Sequence, residues 1–293
     1  TYPIHAIQAT PTQIKDGSRT FLIANRASDQ QGALDADALG GDAIFPRRGS
    51  NPATSASSET GMAKAFLGFD LKAADDLAST VSFALPLASD SVTSTSFLDT
   101  DPGAEEQRVA DAWRQSLHQV DVAIPDRELQ NAFYASFAYL LMARTETGVS
   151  SGPTLEQATW VRDAAYITPA LAVMGRSDAA RSILDAIDRS QLSSGRQPPI
   201  LEPGGGARLP LRDEWDAQGE YVFAIVEYAR LTRDDAYLRS VYPHLRRAVQ
   251  YQQQLLQAAR DTGRPGSQFF GLMPAGESAE DLIDPTWHHY WDD

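Results

Sequence analysis

The chain has 293 residues, of which 25 are basic and 39 acidic, so its formal net charge is −14. A surface this acidic repels phosphate backbones, and we therefore expect no nucleic-acid partner, whereas a neutral polyhydroxyl ligand needs no cationic clamp. The sequence has no cysteine, which excludes disulfides, thiol nucleophiles and zinc–thiolate sites. No apolar run approaches the length of a membrane span.

The first third of the sequence is typical of β-structure. Short β-prone runs at residues 20–24, 65–71 and 81–87 are separated by polar stretches rich in Ser, Thr, Asn and Pro, such as residues 49–60, which are predicted as loops. We interpret residues 1–103 as the C-terminal part of an antiparallel β-sandwich domain. The first residues are neither a start methionine nor a signal peptide, so we expect the chain to begin inside a longer gene product.

After Gly103 the hydrophobic spacing becomes helical. Residues 104–122 are predicted to form a polar, amphipathic connecting helix, and Pro125 is expected in the first turn of the next helix. The following helices are predicted to start at Asp163, Asp178, Gly219 and Asp234, with Asp178 and Asp234 as N-caps and Gly175 as a stop. The helix after Asp178 is expected to bury Ala180, Ile183, Leu184 and Ile187.

The connections between these helices are of two kinds. Residues 175–177 and 232–233 form tight turns, whereas residues 143–160, 190–216 and 260–293 form long loops rich in Gly, Pro and aromatic side chains. This alternation predicts stacked helical hairpins with all the long loops at one end. Functional residues often lie on such loops because a rigid scaffold holds them in place.

Each long loop ends in a cluster that joins tryptophan to carboxylates. The clusters are Trp160-Val161-Arg162-Asp163, Asp213-Glu214-Trp215-Asp216, and Trp287 followed by Tyr290-Trp291-Asp292-Asp293. Indole faces stack on sugar rings, and carboxylates and arginine bind hydroxyl groups in paired hydrogen bonds. Four of the five tryptophans lie in these loops, which packing alone does not explain. The clusters therefore predict a saccharide pocket.

Each of these residues also has a purely structural interpretation, which the sequence leaves open. The structural roles are helix capping for Asp163, Asp216, Asp292 and Asp293, surface pairing with Asp163 for Arg162, and packing under the loops for Trp160 and Trp215. The adjacent His288 and His289 point in different directions and have no second ligand pair, so no metal site is predicted. No phosphate loop or nucleophile elbow is present, and no cofactor is implied.

Three segments resemble one known family. Residues 160–184, WVRDAAYITPALAVMGRSDAARSIL, resemble the W-x-R-D segment and small-residue helix of six-hairpin glycosidases, which include glucoamylases and related bacterial debranching-type enzymes. Residues 213–238 resemble the next pocket loop and hairpin of that family, and residues 271–293 resemble the loop that carries its catalytic acid. The resemblance implies a mainly α fold, in which residues 123–293 form the first half of an α/α toroid after a β-sandwich domain.

The resemblance also implies an enzyme, a glycoside hydrolase that acts on the ends of oligosaccharides or polysaccharides, usually with inversion. One carboxylic acid protonates the leaving oxygen, and a second carboxylate activates water on the opposite face of the sugar. Trp291-Asp292-Asp293 stands where glucoamylases have tryptophan–glutamate–glutamate. This similarity implies that Asp292 is the acid, with Asp293 as the alternative, although aspartate is shorter than the glutamate of the family.

The same resemblance assigns the substrate-binding residues. Arg162 and Asp163 match residues that hold hydroxyls of the terminal sugar, and Asp216 is a further expected contact. Trp160, Trp215 and Trp291 are expected to line the pocket. The catalytic base of the family lies in a later hairpin, in the C-terminal half of the toroid that this chain lacks, so we expect the fragment alone to be inactive.

Two other functions remain open. The first is a saccharide-binding protein without catalysis, which the shortened acid position permits. The second is a phosphorylase built on a related toroid, which needs a phosphate site made from basic or hydroxyl side chains.

Overall fold

The computed structural model describes residues 3–17, 19–37, 52–71, 80–86, 101–145, 148–152 and 157–277. Contacts between residues divide the chain into two compact units, Thr1–Ala112 and Trp113–Asp293. The division falls inside the segment that the sequence predicts as a connecting helix. Within the described ranges, every helix is too short or too polar to cross a bilayer.

The N-terminal unit is built from antiparallel strands. They are β1 (Ala6–Ala9), β2 (Gln13–Asp16), β3 (Arg19–Ala24), β4 (Gln30–Asp35), β5 (Ser55–Ser57), β6 (Ala63–Gly68) and β7 (Phe83–Ala84). One sheet has the order β5-β1-β2-β3-β7, and β4 pairs with β6 in a second sheet. The predicted run at residues 20–24 lies in β3. In the run predicted at residues 81–87, of which residues 81–86 are described, the two residues of β7 form the strand.

A small core joins the two sheets of this unit. Ile7 of β1, Ala33 of β4 and Ala63 of β6 are buried together, so side chains from both sheets meet across one apolar layer. The prediction of a loop over residues 49–60 is wrong at β5, where a polar Ser-Ala-Ser segment pairs with β1. Strand pairing at a sheet edge satisfies the backbone there, and the side-chain pattern alone does not show it.

The second unit is mainly helical. Its helices are α1 (Pro102–Leu117, which begins in the first unit), α2 (Arg127–Met142), α3 (Val161–Val173), α4 (Ser177–Arg189), α5 (Asp216–Thr232) and α6 (Asp235–Thr262). Short strands lie between them, namely β8 (Arg144–Thr145), β9 (Gly148–Val149), β10 (Thr159–Trp160) and β11 (Ile200–Leu201).

The start of α2 differs from the prediction. Pro125 lies before the helix, and Asp126 is the N-cap, whose carboxylate accepts hydrogen bonds from the backbone N–H groups of Glu128 and Leu129. A capping carboxylate satisfies N–H groups that have no partner within the helix. The helix therefore begins one residue after Asp126, and Pro125 is not in its first turn.

The two later hairpins follow the predicted order of helices, although α5 begins at Asp216, three residues before the predicted Gly219, and one predicted N-cap is wrong. Gly175, with φ of 78°, ends α3 as expected, and the four predicted apolar residues of α4 are all buried. Asp178 is not the N-cap of α4, because the helix begins at Ser177 and the carboxylate of Asp178 pairs with Arg176. The prediction for Asp234 is confirmed, since its side chain accepts a hydrogen bond from the Tyr237 N–H at the start of α6.

The hairpin α3–α4 packs against the hairpin α5–α6. The most extensive helix contact is between α3 and α5, which supply Leu171, Tyr221 and Ile225 to the centre of the core. Ile183 of α4 and Tyr237 of α6 pack into the same core. Because the first residues of α3 and α5 also touch, these two helices start at the same end of the unit. The long loops that precede them therefore meet there, as the alternation of loop lengths predicts.

Candidate functional site

The first two long loops are joined by a short strand pair directly before α3. Thr159 pairs with Leu201, and Trp160 pairs with Ile200, in antiparallel register. The N–H of Val161 donates to the carbonyl of Pro199 at 2.9 Å. Because β11 lies inside the second loop, this pairing positions the Trp160–Asp163 cluster beside the segment that leads into α5.

Arg162 connects the two clusters through its guanidinium group. Its Nε donates to Oδ2 of Asp216 at 2.7 Å, and its Nη2 donates to Oε2 of Glu214 at 2.9 Å. Only 4% of the Asp216 side chain and 1% of the Glu214 side chain are exposed. Arg162 is therefore not a surface partner of Asp163, because its guanidinium binds two buried carboxylates of the other loop. We name this arrangement of Arg162, Glu214 and Asp216 the arginine bracket.

The charges of the arginine bracket stabilise one another in a buried environment. Burial alone lowers the pKa of Arg162, but the hydrogen bond and charge of Asp216, together with the charge of Glu214, raise it overall. Burial raises the pKa of the Glu214 carboxyl, and Arg162 opposes that effect. Breaking such a pair leaves an uncompensated buried charge, so the bracket holds its members in fixed positions.

Trp160 lies close to two arginines at the arginine bracket. The guanidinium carbon of Arg162 is 5.9 Å from its ring centroid and that of Arg212 is 5.6 Å away, within the range of cation–π attraction. Arg212 also pairs with Glu214 at 3.4 Å and with Glu277 at 3.3 Å. The indole is half-buried and oriented by its charged neighbours.

Trp215 is more deeply placed than Trp160. It is 6% exposed, its Nε1 donates to the Ala275 carbonyl at 3.3 Å, and Arg196 lies 5.0 Å from its ring. This burial fits the alternative in which Trp215 packs under the loops. Its direct contact with a saccharide stays a prediction.

The middle of the third long loop, at Gly276 and Glu277, is fixed against the second loop. The N–H of Glu277 donates to the Asp213 carbonyl at 3.0 Å. A Cβ atom on Gly276 would lie 2.2 Å from that carbonyl oxygen and 2.7 Å from Nε1 of Trp215, so only glycine permits this approach. The whole third cluster, Trp287 and Tyr290 to Asp293, lies outside the described residues, and so do the predicted roles of Trp291, Asp292 and Asp293.

Asp163 and Asp216 both lie in first turns of helices, and neither is an N-cap. The N-cap positions are occupied by Trp160 for α3 and Trp215 for α5, so the capping interpretation of both aspartates is wrong. Asp216 is held by Arg162, whereas the half-buried carboxylate of Asp163 makes no hydrogen bond to any residue that the structure describes. Asp163 is thus available to accept a hydrogen bond from a ligand hydroxyl group.

Glu220 is a site residue that sequence reasoning missed. It lies one helical turn after Asp216 in α5, and its buried Oε2 has no hydrogen-bond partner among the described residues. Burial raises the pKa of Glu220 to about 8, and the charge of Asp216 adds to the effect. The prediction started this helix at Gly219, three residues late, so the i, i+4 spacing that places Asp216 and Glu220 on one face was not recognised.

An exposed aromatic pair continues this face. Tyr166 on α3 and Phe223 on α5 are 58% and 44% exposed, with ring centroids 5.9 Å apart. Each lies three residues after an acidic residue of the site, Asp163 and Glu220 respectively. Carboxylates, a fixed guanidinium and accessible rings are the groups that bind sugars. In the part of the chain that the structure describes, no three His, Asp or Glu side chains are grouped to hold a metal ion.

Comparisons with known proteins identify the fold. No protein-family model matches the sequence, and no curated protein matches it. The structure is similar to that of a bacterial glucoamylase complexed with acarbose, with a TM-score of 0.54 and 14% sequence identity. The match covers 89% of this chain and 40% of the glucoamylase chain, so this chain spans less than half the length of that protein. At this identity the likeness shows a glucoamylase-like fold.

Proposed function

We propose that this chain is part of a glycoside hydrolase that binds the end of an oligosaccharide or polysaccharide and cleaves it with inversion. The observation that carries the proposal is the buried arginine bracket at the paired starts of α3 and α5. Asp163 follows Arg162 directly, and its carboxylate has no hydrogen-bond partner in the described part of the chain. The glucoamylase-like fold supports the proposal, because the bracket is formed by the segment that resembles the sugar-binding W-x-R-D motif of the family.

In this proposal the bracket supplies rigidity to the sugar-binding site. Glu214 and Asp216 hold the Arg162 guanidinium in one orientation, so its position does not change when a sugar binds. Asp163 accepts a hydrogen bond from a hydroxyl of the terminal sugar, and Trp160 contributes an apolar surface. Preorganised polar groups lose little entropy on binding, which favours recognition of a single ring orientation.

The catalytic groups are assigned by resemblance and are part of the proposal. Asp292, with Asp293 as the alternative, protonates the glycosidic oxygen as the leaving group departs, and Trp291, which precedes them in the sequence, lines the pocket. A carboxylate from a further hairpin that completes the toroid takes a proton from the attacking water. The domain limits proposed from the sequence, with a β-sandwich over residues 1–103, a connecting helix over residues 104–122 and the toroid over residues 123–293, belong to the same proposal.

The first test measures saccharide binding by calorimetry for the chain and for Asp163→Asn. We expect the variant to bind at least about tenfold more weakly, because it loses a charge-assisted hydrogen bond of about 1.5–3 kcal/mol. Asp235→Asn is the matched control, since Asp235 also lies in the first turn of a helix but is exposed and distant from the bracket. Equal affinities for the two variants would remove Asp163 from the site.

The second test measures sugar release by the gene product from α- and β-linked oligosaccharides, with and without phosphate. Release without phosphate, lost in Asp292→Asn, is the expected result. Release that requires phosphate would indicate a phosphorylase. Binding without release under either condition would indicate a saccharide-binding protein that does not catalyse.

A further inference from the structure

We propose that Glu220 donates a hydrogen bond from its carboxyl group to an oxygen atom of the bound sugar, and so restricts the site to uncharged saccharides. The inference rests on the proposed function and extends it to a residue and a substrate class that the resemblance does not assign. Four observations support it, namely the position of Glu220, its unpaired oxygen, the charges that face it and the chemistry of its neighbour Asp163.

The first observation is position. Glu220 follows Asp216 by one turn of α5, so the two side chains lie on one side of the helix. Asp216 in turn binds Arg162 at the start of α3, next to Asp163. Glu220 therefore lies at the border of the arginine bracket, on the side that continues towards the exposed Phe223.

The second observation is the unpaired oxygen. Oε2 of Glu220 is buried, yet no described residue forms a hydrogen bond with it. A buried polar atom without a partner costs about 1–3 kcal/mol, and such atoms are rare in folded proteins. A ligand that forms a hydrogen bond with this oxygen recovers that free energy on binding. The unpaired oxygen therefore favours a binding site at Glu220.

The third observation is charge. Burial is the main reason that the pKa of Glu220 is raised to about 8, and the negative charge of Asp216 is the second. The positive charge of Arg162 lowers this pKa, whereas the negative charges of Asp163 and Glu214 raise it further. Arg162 is already engaged with Asp216 and Glu214 and offers Glu220 no hydrogen bond among the described contacts. The carboxyl of Glu220 therefore carries its proton at neutral pH, which makes it a hydrogen-bond donor.

The remaining charges around α5 act on another face of the helix. Tyr221, the next residue, donates its hydroxyl proton to Asp188 of α4, and His244 of α6 contacts the same carboxylate. These groups surround Tyr221 where α5 packs against α4 and α6. The groups that face Glu220 are thus Asp216 on its own helix, the charged residues at the start of α3, and Glu214 before α5.

The fourth observation is complementarity with Asp163. A sugar hydroxyl both donates and accepts a hydrogen bond, so a site with an accepting carboxylate and a donating carboxyl satisfies two hydroxyl groups of a neutral ring. An anionic sugar meets the surplus of carboxylates around the bracket and is repelled. A cationic amino sugar favours the ionised form of the Glu220 carboxyl, so its affinity depends on pH differently from that of a neutral sugar.

The experiment measures the affinity of neutral gluco-oligosaccharides and their amino-sugar counterparts by calorimetry between pH 6 and pH 9.5. For the unmodified chain we expect constant affinity for the neutral ligand up to about pH 8 and a roughly tenfold loss per pH unit above it. Glu220→Gln retains a donor of the same shape that does not ionise. We expect its affinity to be within about threefold of the unmodified chain at pH 6 and to stay constant to pH 9.5.

Two controls separate a ligand contact from a structural role. Glu220→Ala removes the donor and should weaken binding by about tenfold at pH 6, while the exposed Asp235→Asn should keep the alkaline decrease unchanged. Carbon-13 NMR of labelled glutamate carboxyls, assigned with Glu220→Gln, reports the titration of Glu220 without any ligand. A purely structural role would change stability without altering the pH dependence of affinity.

The outcomes distinguish this inference from the proposed function. An alkaline decrease that disappears in Glu220→Gln supports the inference. Saccharide binding with a pH-independent affinity in the unmodified chain, or with the same alkaline decrease in Glu220→Gln, overturns it and leaves the proposed function standing. If Glu220 titrates near pH 8 but no saccharide binds, the proposed function fails and this inference fails with it.

Discussion

Replacing Arg162 with methionine should destabilise the helical unit strongly. Methionine keeps much of the aliphatic volume of arginine but leaves Glu214 and Asp216 without their shared cation, and both carboxylates are buried. Removing one partner from a buried ion pair costs about 3–5 kcal/mol. We expect Arg162→Met to lower the free energy of unfolding by that amount at pH 8, and Arg162→Lys to lower it less, because one ammonium cannot replace two forked hydrogen bonds.

The loss of unfolding free energy caused by Arg162→Met should be larger at high pH than at low pH. Burial already raises the pKa of the Glu214 carboxyl and Arg162 opposes that effect, so without the guanidinium the pKa of Glu214 in the folded state lies further above its pKa in the unfolded chain. The folded variant therefore binds more protons than the unfolded chain over the interval between these pKa values, and its stability falls as pH rises through it. Accordingly, the loss should be smaller at pH 5 than at pH 8.

Urea unfolding followed by far-ultraviolet circular dichroism measures both effects. Arg230→Met is the matched control, because Arg230 lies on α5 and pairs with Glu227 at 2.7 Å but is 62% exposed. Surface pairs contribute about 0–1 kcal/mol, so this variant should change the free energy of unfolding by less than about 1 kcal/mol at either pH. If Arg162→Met cost no more than Arg230→Met, or cost the same at pH 5 and pH 8, the bracket would not be a buried charge pair.

Two further predictions concern single atoms in the same unit. Gly276→Ala should displace the third loop from the second and weaken saccharide binding by about tenfold in calorimetry, because a Cβ atom there overlaps the Asp213 carbonyl. Gly204→Ala is the control, since a Cβ atom at that position meets open space, and its saccharide affinity should be unchanged. Tyr221→Phe should lower the free energy of unfolding, measured in urea, by about 1–3 kcal/mol, because the Tyr221 hydroxyl donates a hydrogen bond to Asp188. The exposed Tyr242 is the control, and Tyr242→Phe should leave the free energy of unfolding unchanged within about 0.5 kcal/mol.

Local features of the helical half were predictable from the sequence. The apolar spacing after Asp178 correctly placed Ile183 and Ile187 in the core, and the N-cap at Asp234 was correct. The alternation of tight turns and long loops indicated that α3 and α5 begin at one end. These features depend on side-chain periodicity and on hydrogen bonds between residues a few positions apart, so the residues that decide them are close together in the sequence.

The partners of Arg162 could not be predicted from its neighbours in the sequence. Arg162 has an adjacent aspartate in the sequence, yet it binds Glu214 and Asp216, which lie 52 and 54 residues further along the chain. The starts of α4 and α5 were misplaced because neither helix has a side-chain N-cap hydrogen bond that marks its first residue. The start of α2 was misplaced because Asp126 caps that helix and Pro125 precedes it. The β5 strand lay in a segment predicted as a loop, since its backbone pairing with β1 leaves no signal in polar side chains.

The sequence by itself therefore determined the helical hairpins, the family resemblance and the presence of tryptophan–carboxylate clusters at loop ends. Only the tertiary structure decided which carboxylate pairs with which arginine. It also left the Asp163 carboxylate and one Glu220 oxygen without a hydrogen-bond partner among the described residues. The reason is that burial and charge pairing are properties of packed elements. The protonation state of Glu220 depends on desolvation and on the charges of α3 and the segment before α5, which meet only when the two hairpins pack together.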